Sequence, residues 1–290
     1  MQSAMRDVVI AAHLRYLGLC GQAPGSVYYR GRVLTRLQAA LAVPLLEASA
    51  EDLARWREGL SVAPGTVVGY VSHATAFYAW AVTIGLLEDN PAAALPVPRL
   101  GRRLPRPISE DHLMTAITEA PDRIRPWLVL AGWAGLRAQE IAYLRRDHVL
   151  DTARPKPLLF VAGSAAKGGH ERIVPLCAFA LAELQAAGLP ASGYVFGRRD
   201  GKRGPNRPWL VSQKCNEYLH ELGFADTLHG LRHRFATVTY AVRRDLRMVQ
   251  ELLGHLSPAT TSVYTLFDQS DAADVVELLP VPGRLRVVSE

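Results

Sequence analysis

A segment rich in proline and arginine interrupts the 290-residue chain between residues 91 and 107. It contains Pro91, Pro96, Pro98, Arg99, Arg102, Arg103, Pro105, Arg106 and Pro107. Prolines keep such a stretch extended, because each one fixes φ and lacks a backbone donor. We therefore predict two domains, residues 1–95 and 108–290, joined by a cationic linker over residues 96–107. A length of 290 residues suits two domains better than one.

The first of these domains shows helical periodicity and no strand pattern. The predicted helices cover residues 5–19, 27–43, 51–60 and 66–86, where apolar residues recur three and four positions apart. Ser49 and Thr66 are suited to cap the last two of them. Asn90-Pro91 ends the region, since proline disfavours helix in the residue before it. We expect residues 1–95 to form a small, wholly helical domain.

The second domain is predicted to be mostly helical with a small β-sheet. Ser109 is a good N-cap for its first helix. Further helices are predicted at 125–135, from residue 136 onward, and at 178–187, 208–222, 231–242, 246–253 and 259–267. Two short strands are expected at 158–161 and 172–176, joined by a Gly/Ala turn. The expected fold class is therefore mainly α with a small sheet in the second domain.

The charge distribution favours an anionic partner. The net charge is +6, and the excess lies in residues 96–290, because residues 1–95 carry seven basic and seven acidic side chains. Within the neutral part, Arg30, Arg32 and Arg36 lie in a stretch without any acid. A phosphate-binding face and an ordinary solvated helix face both fit that stretch. The same two interpretations apply to Arg99, Arg102 and Arg103 in the linker.

Cysteine usage and hydropathy predict a reduced, cytoplasmic protein. The three cysteines are Cys20, Cys177 and Cys215, an odd number without metal-ligand spacing. Charged residues interrupt the N-terminal apolar positions, so no signal peptide is expected. The longest apolar run, from Pro126 to Leu136, is too short to cross a bilayer. We expect neither a metal site nor a membrane partner.

Six residues along the second domain could together cleave a phosphodiester. They are Arg137, Lys167, His229, Arg232, His255 and Tyr264. Such a reaction needs an attacking oxygen, cations around the non-bridging oxygens, a proton acceptor and a proton donor. Two arginines can each bind a phosphate through two parallel hydrogen bonds. Each residue alone also has a structural interpretation: Arg137 with Glu140 as a local ion pair, Tyr264 as a packing residue.

The local contexts of these residues resemble those of the tyrosine recombinase (phage integrase) family. The resembling segments are Gly135-Leu136-Arg137 with Glu140, Lys167 to Leu176, His229 to His233, Leu252 to His255, and Thr260 to Tyr264. They cover most of residues 130–266 in the family's order. The helical region of residues 1–95 is similar to the family's core-DNA-binding domain.

The resemblance implies a role for each matching residue. Tyr264 would attack the scissile phosphate and form a 3′-phosphotyrosine, while Arg137 and Arg232 would bind its non-bridging oxygens. Lys167 would protonate the leaving 5′-oxygen. His229 would assist proton transfer, His255 would hydrogen-bond the phosphate, and Glu140 would orient Arg137. Religation would need no metal, ATP or other cofactor.

The resemblance also implies a site-specific DNA recombinase that closes on duplex DNA as a two-domain, C-shaped clamp. It would self-associate to a tetramer on its recombination site, with a possible accessory DNA-bending or directionality factor. The segment from Ala272 to Leu279 could dock on a neighbouring protomer or on its own domain. We expect no arm-binding domain, as in two-domain Xer recombinases or short integrases. His170 stands where family members often have a second lysine, which favours Lys167 as the acid.

Two alternatives remain open at this point. A type IB topoisomerase uses similar tyrosine and arginine chemistry, although the short length and small helical domain favour the recombinase. A catalytically silent DNA-binding protein of the same fold is the second, although such a protein would have no need for Tyr264. The sequence does not reveal the DNA target or the biological purpose of the recombination.

Overall fold

The structure is a computed structural model that describes residues 2–101, 104–153, 156–166, 169–198, 200 and 202–254. The chain divides into two compact units, with the division between residues 102 and 103. We call residues 1–102 the first unit and residues 103–290 the second unit. The prediction of a mainly helical fold with one small sheet is confirmed.

Four α-helices build the described part of the first unit. They are α1 (Gln2–Leu19), α2 (Pro24–Ala40), α3 (Ala50–Glu58) and α4 (Pro64–Thr83). Ser49 caps α3 as predicted, and its hydroxyl accepts a hydrogen bond from the backbone of Asp52. The prediction that Thr66 caps the next helix is wrong, because α4 already starts at Pro64. A proline fits the first turn of a helix, where its missing N–H has no intrahelical partner.

The core of the first unit is aliphatic and aromatic. Leu34 and Leu37 of α2 are fully buried together with Phe77 and Tyr78 of α4. The Tyr78 hydroxyl donates a 2.9 Å hydrogen bond to the Leu45 carbonyl oxygen, which satisfies its polar end. Burial of these side chains removes a large apolar area from water and fixes α2 against α4.

Seven helices build the described part of the second unit. They are α5 (Glu110–Glu119), α6 (Arg125–Trp133), α7 (Ala138–Ala142), α8 (Ala178–Ala186), α9 (Pro208–Glu221), α10 (Leu228–Arg243) and α11 (Leu246–Leu253). Helix α6 is buried from Pro126 to Gly132, as its continuous apolar sequence predicted. Helix α10 begins three residues earlier than predicted, because the Thr227 side chain accepts a hydrogen bond from Gly230 N–H and caps it.

An antiparallel sheet completes the described part of the second unit. Its strands are β1 (Val149–Leu150), β2 (Leu158–Val161) and β3 (Arg172–Pro175), in that spatial order. The sequence predicted β2 and β3 but missed β1, because two residues are too few to show alternation. The helix predicted at 259–267 and the apolar stretch from Ala272 to Leu279 lie outside the described residues. Within the described part of the chain, no helix has the length and apolarity to cross a bilayer.

Candidate active site

A tight glycine turn delivers Arg137 to the site. Helix α6 ends at Trp133, and Gly135 follows with φ of 63°, a conformation that favours glycine. A Cβ at Gly135 would lie 2.5 Å from Cδ1 of Phe235, so a side chain there would displace that ring. The turn places Arg137 at the N-cap of the short helix α7. The backbone conformation and the nearby Phe235 ring therefore explain why a glycine precedes Leu136 and Arg137.

Glu140 is the buried centre of an arginine cluster. The residue is 2% exposed. Its Oε2 accepts a 2.8 Å hydrogen bond from the backbone N–H of Arg137, and its Oε1 accepts one of 2.9 Å from Nη1 of Arg137. Nη1 and Nη2 of Arg172 donate to the same two oxygens at 2.9 and 2.8 Å. Nη1 of Arg232 lies 3.7 Å from Oε2. We call Glu140, Arg137, Arg172 and Arg232 the arginine cluster.

The charge state of Glu140 follows from this environment. Burial alone would raise the pKa of the carboxyl group, because it penalises the charged form. Hydrogen bonds from Arg172, the positive charges of Arg172 and Arg232, and the Arg137 backbone N–H outweigh that effect and hold the pKa below its ordinary value. Glu140 is therefore a fixed negative charge among the guanidinium groups.

The C-terminal end of α11 closes the cluster from another side. The Leu253 carbonyl oxygen accepts from Nη2 of Arg232 at 2.7 Å and from Nη1 of Arg137 at 3.3 Å. Nη1 of Arg232 also donates to the Gly135 carbonyl oxygen. The last carbonyl groups of a helix carry partial negative charge, so cations are favoured there. Three separate elements, the α7 N-cap, β3 and α10, thus bring arginines to one helix end.

The two histidines of α10 lie beside this cluster. His229 and Arg232 both lie near the start of α10, but His229 is exposed whereas Arg232 is 1% exposed. His229 lines a surface pocket together with Arg137 and Trp209. The rings of His229 and His233 are 4.4 Å apart between centroids. Burial, with the neighbouring His229 and Arg232, lowers the pKa of His233 to about 4.

The structure thus brings together four of the seven residues singled out by sequence: Arg137, Glu140, His229 and Arg232. Lys167, His255 and Tyr264 lie outside the described residues. The chain runs from Gly254, which ends α11 with φ of 62°, directly into His255.

Sequence reasoning missed Arg172 as a member of the site. The side chains of β3 alternate in burial, with Arg172 and Val174 buried and Ile173 54% exposed. The period of two along a strand places Arg172 on the same face as Val174. A buried arginine needs a buried anion as its partner. The placement of Arg172 on the same strand face as Val174 was therefore the signal that could have identified it as a member of the site. Glu140 was expected to orient Arg137, and in the structure it also binds Arg172 and lies 3.7 Å from Arg232.

The arginines proposed from sequence as DNA contacts differ in their surroundings. Arg32 and Arg99 are exposed. Nη1 of Arg36 donates to the Tyr70 hydroxyl, with its guanidinium 5.7 Å from the ring centroid. Arg30 is half-buried, and this burial lowers its pKa. Arg102 and Arg103 lie outside the described residues. Among the described residues, no group of three or more histidine, cysteine, aspartate or glutamate side chains could hold a metal ion.

Comparison of the chain with protein families and sequences gave consistent matches. Residues 108–270 match the model of the phage integrase family. A tyrosine recombinase XerC of Xanthomonas campestris pv. campestris (strain B100) is 36% identical over 236 residues, which cover 77% of this chain and 70% of the relative. A tyrosine recombinase XerC of Chromobacterium violaceum is 28% identical over 295 residues, which cover 93% of this chain and 94% of the relative.

Solved structures show the same fold. A lambda integrase (residues 75–356) dimer bound to a COC′ core site is 19% identical with a TM-score of 0.70, covering 89% of this chain and 94% of that one. XerH site-specific recombinase, in a post-cleavage complex with a palindromic difH substrate, is 19% identical with a TM-score of 0.63, covering 87% of this chain and 76% of that one. At this identity the likeness concerns the fold alone.

Proposed function

This chain belongs to the phage integrase family of tyrosine recombinases, and we propose that it breaks and rejoins DNA at a specific recombination site with Tyr264 as nucleophile. The family match and the recombinase relatives support site-specific DNA recombination and do not favour a topoisomerase or a silent binder. The intact set of Arg137, Lys167, His229, Arg232, His255 and Tyr264 supports catalysis by this chain.

The observation that carries this proposal is the arginine cluster at the end of α11. Arg137 and Arg232 come from different elements and share the Leu253 carbonyl oxygen as acceptor. The chain leaves this point through Gly254 and continues to His255 and Tyr264. The candidate phosphate-binding groups and the start of the nucleophile segment therefore meet at one place. Fixed guanidinium groups aimed at a phosphate stabilise the charge that builds during phosphoryl transfer.

In the proposed cleavage step, the Tyr264 oxygen forms a bond to the scissile phosphorus as the bond from phosphorus to the 5′-oxygen breaks. His229 accepts the proton that the Tyr264 hydroxyl loses, and Lys167 gives a proton to the leaving 5′-oxygen. Arg137, Arg232 and His255 bind the non-bridging oxygens. The 3′-phosphotyrosine retains the energy of the broken bond, so a 5′-hydroxyl can reverse the step without ATP or metal.

We further propose that residues 1–95 are a core-DNA-binding domain, that residues 96–107 are a linker following the DNA, and that residues 108–290 are the catalytic domain. The exposed guanidinium groups of Arg32 and Arg99 support phosphate contacts by the first two segments. Contacts of this kind release counterions, so affinity for DNA should fall steeply with salt.

The proposal extends to assembly and location. Lambda integrase forms a dimer on its core site, and symmetric assembly is the usual arrangement of soluble oligomers. We propose a tetramer of this chain on DNA, with an accessory DNA-bending or directionality factor as a possible partner, and action in the cytoplasm.

A suicide substrate tests the nucleophile. A duplex nicked near the cleavage point loses the short fragment that carries the 5′-hydroxyl, and this loss traps the covalent adduct. We expect the wild-type chain to form an adduct on a denaturing gel, and Tyr264→Phe to bind the same duplex without forming one. The control is Tyr240→Phe, which removes only the hydroxyl of a half-buried tyrosine outside the arginine cluster and should leave the adduct unchanged. An adduct in the Tyr264→Phe variant would show that another residue attacks.

A further inference from the structure

We propose that Arg172 is a positioning residue that fixes the base of the β2–β3 hairpin to the arginine cluster and so holds the hairpin's proton donor at the scissile phosphate. This inference rests on the proposed function. It adds a residue outside the catalytic set derived from the sequence.

Arg172 is held on two sides. Its Nη1 and Nη2 donate to both oxygens of Glu140 at 2.9 and 2.8 Å. Its Nε donates to the Leu252 carbonyl oxygen in the last turn of α11 at 2.8 Å. The side chain is only 5% exposed, so these contacts replace the hydration that the charge has lost.

Arg172 lies at the base of the loop that connects β2 and β3. Arg172 is the first residue of β3 and pairs with Val161, the last residue of β2. The pair therefore forms the base of the connecting loop, residues 162–171, whose sequence includes Lys167. A contact that fixes the base of a loop restricts the volume that its residues can reach.

The other end of the anchor is the helix from which the nucleophile segment departs. A Cβ at Gly254 would lie 3.1 Å from Cδ and 3.2 Å from Nη1 of Arg172, so the arginine packs directly against the C-cap of α11. Arg172 thus contacts α11 and Glu140 at once. It joins the hairpin to the same helix end that receives Arg137 and Arg232.

Only an arginine can make this set of contacts. Its planar guanidinium binds a carboxylate through two parallel hydrogen bonds and still offers Nε to a third acceptor. A lysine would keep the charge next to Glu140 but would lose the bidentate geometry and the link to Leu252. Arg172→Lys therefore separates the positioning effect from the simple loss of a charge.

The experiment compares Arg172→Lys with a matched control in the same unit. Nε and Nη2 of Arg125 each donate a 2.8 Å hydrogen bond to Glu183. This second bidentate pair joins α6 to α8. Arg125→Lys breaks that pair without involving the hairpin. Thermal unfolding and DNA binding are measured first for both variants. Arg172→Gln provides a second version of the change if the lysine variant unfolds at the assay temperature.

Single-turnover cleavage is then measured on two substrates. The first has the normal 5′-oxygen at the scissile position, and the second has a 5′-bridging sulfur, which leaves as a thiolate and needs no proton donor. On the oxygen substrate we expect Arg172→Lys to form the adduct up to about 100-fold more slowly than the wild type, because a misplacement of a reacting group by about 1 Å can cost this much. On the sulfur substrate we expect that defect to shrink by about tenfold or disappear. Arg125→Lys should cleave both substrates like the wild type.

An equal defect of Arg172→Lys on both substrates would overturn the inference, because a purely structural role slows both alike. An equal defect in Arg125→Lys would overturn it too. Lys167→Ala tests the proposed function separately. If sulfur rescues Lys167→Ala but not Arg172→Lys, the inference fails and the general acid stands. If sulfur rescues only Arg172→Lys, the positioning role stands and another group of the hairpin is the acid.

Discussion

The two units differ in where they keep their ion pairs: the described pairs of the first unit lie at the surface, whereas the second unit contains a buried ionic cluster. In the first unit, the described ion pairs of Arg55 with Glu51 and Asp52 lie at the surface, and the core is apolar and aromatic. Its buried His13 packs on aromatic rings, with centroids 5.4 Å from Phe77 and 4.8 Å from Trp80. In the second unit, three guanidinium groups surround one carboxylate inside the protein.

This difference determines which substitutions each unit tolerates. Apolar side chains of similar volume can replace one another in a core at small cost. A buried ionic cluster behaves differently, because loss of one partner leaves the others charged and desolvated. The stability of the arginine cluster in the second unit therefore depends on the identity of its charged groups, whereas the stability of the first unit's core depends mainly on side-chain volume.

The largest effect is expected from Glu140→Gln. The change keeps the shape of the side chain but removes the charge that three arginines share. We expect a loss of about 3–5 kcal/mol in the stability of the second unit, and loss of the covalent adduct. Hydrogen exchange of α10 amides, read by mass spectrometry, localises the loss to this unit.

Glu183→Gln is the control for that change. Glu183 pairs with Arg125, whose side chain is 34% exposed. Glu183 is itself 15% exposed, so water screens this pair more than it screens Glu140, and we expect a smaller cost of about 1 kcal/mol with normal cleavage. Equal costs at Glu140 and Glu183 would remove the distinction between the cluster and an ordinary pair.

The next prediction concerns how the stability of the first unit depends on pH. Burial, with a contribution from Arg30, lowers the pKa of His13 to about 4. The unfolded chain binds a proton near pH 6.5 and the folded unit does not, so stability present above pH 6.5 is lost as the pH falls toward 4. We expect His13→Leu to flatten this dependence in the first unit. A smaller slope should remain, because burial and Arg30 also lower the pKa of His73.

The readout is hydrogen exchange of α4 and α10 amides between pH 7 and 4, corrected for the intrinsic rate. The profile of α10 should be unchanged by His13→Leu, because His233, whose pKa is also lowered to about 4, remains there. A first unit that keeps its full acid sensitivity after His13→Leu would mean that other groups control it.

A smaller effect is expected from Leu37→Met in the first unit. Leu37 is fully buried in the core formed by α2 and α4. The two side chains have similar volumes, so we expect a cost below about 1.5 kcal/mol. Thermal unfolding of the Leu37→Met variant checks this value. A cost as large as that of Glu140→Gln would show that the first unit is packed as specifically as the arginine cluster.

The same contrast explains what the sequence could predict. The helices of the first unit follow from periodicity, because its core is apolar on regular faces. The short β1 and the start of α4 did not follow, since two residues carry no period and Pro64 competes with Thr66 as a start signal. Local rules identify elements well and their ends less well.

The site was predictable in its residue types and not in its contacts. Motif order pointed to Arg137 and Arg232, but nothing local indicates that both would reach the Leu253 carbonyl oxygen, more than 100 and 21 positions away respectively. Arg172 was missed because Ile173 and Val174 are both apolar, so the sequence does not show which face of β3 is buried. In the structure Ile173 is exposed, and Arg172 lies on the buried face with Val174. Contacts between distant segments depend on tertiary packing, which periodicity does not encode.

The smallest effect is expected at the surface of the first unit, where the proposal places phosphate contacts. Arg32→Ala removes an exposed guanidinium from α2. We expect DNA affinity to weaken alike for specific and unrelated duplexes, and the slope of log K against log salt to lose about 0.9. Arg55→Ala is the matched control, because Arg55 is exposed but paired with Glu51 and Asp52. Binding titrations at several salt concentrations measure both slopes. An unchanged slope for Arg32→Ala would show that this side chain of α2 contacts no phosphate.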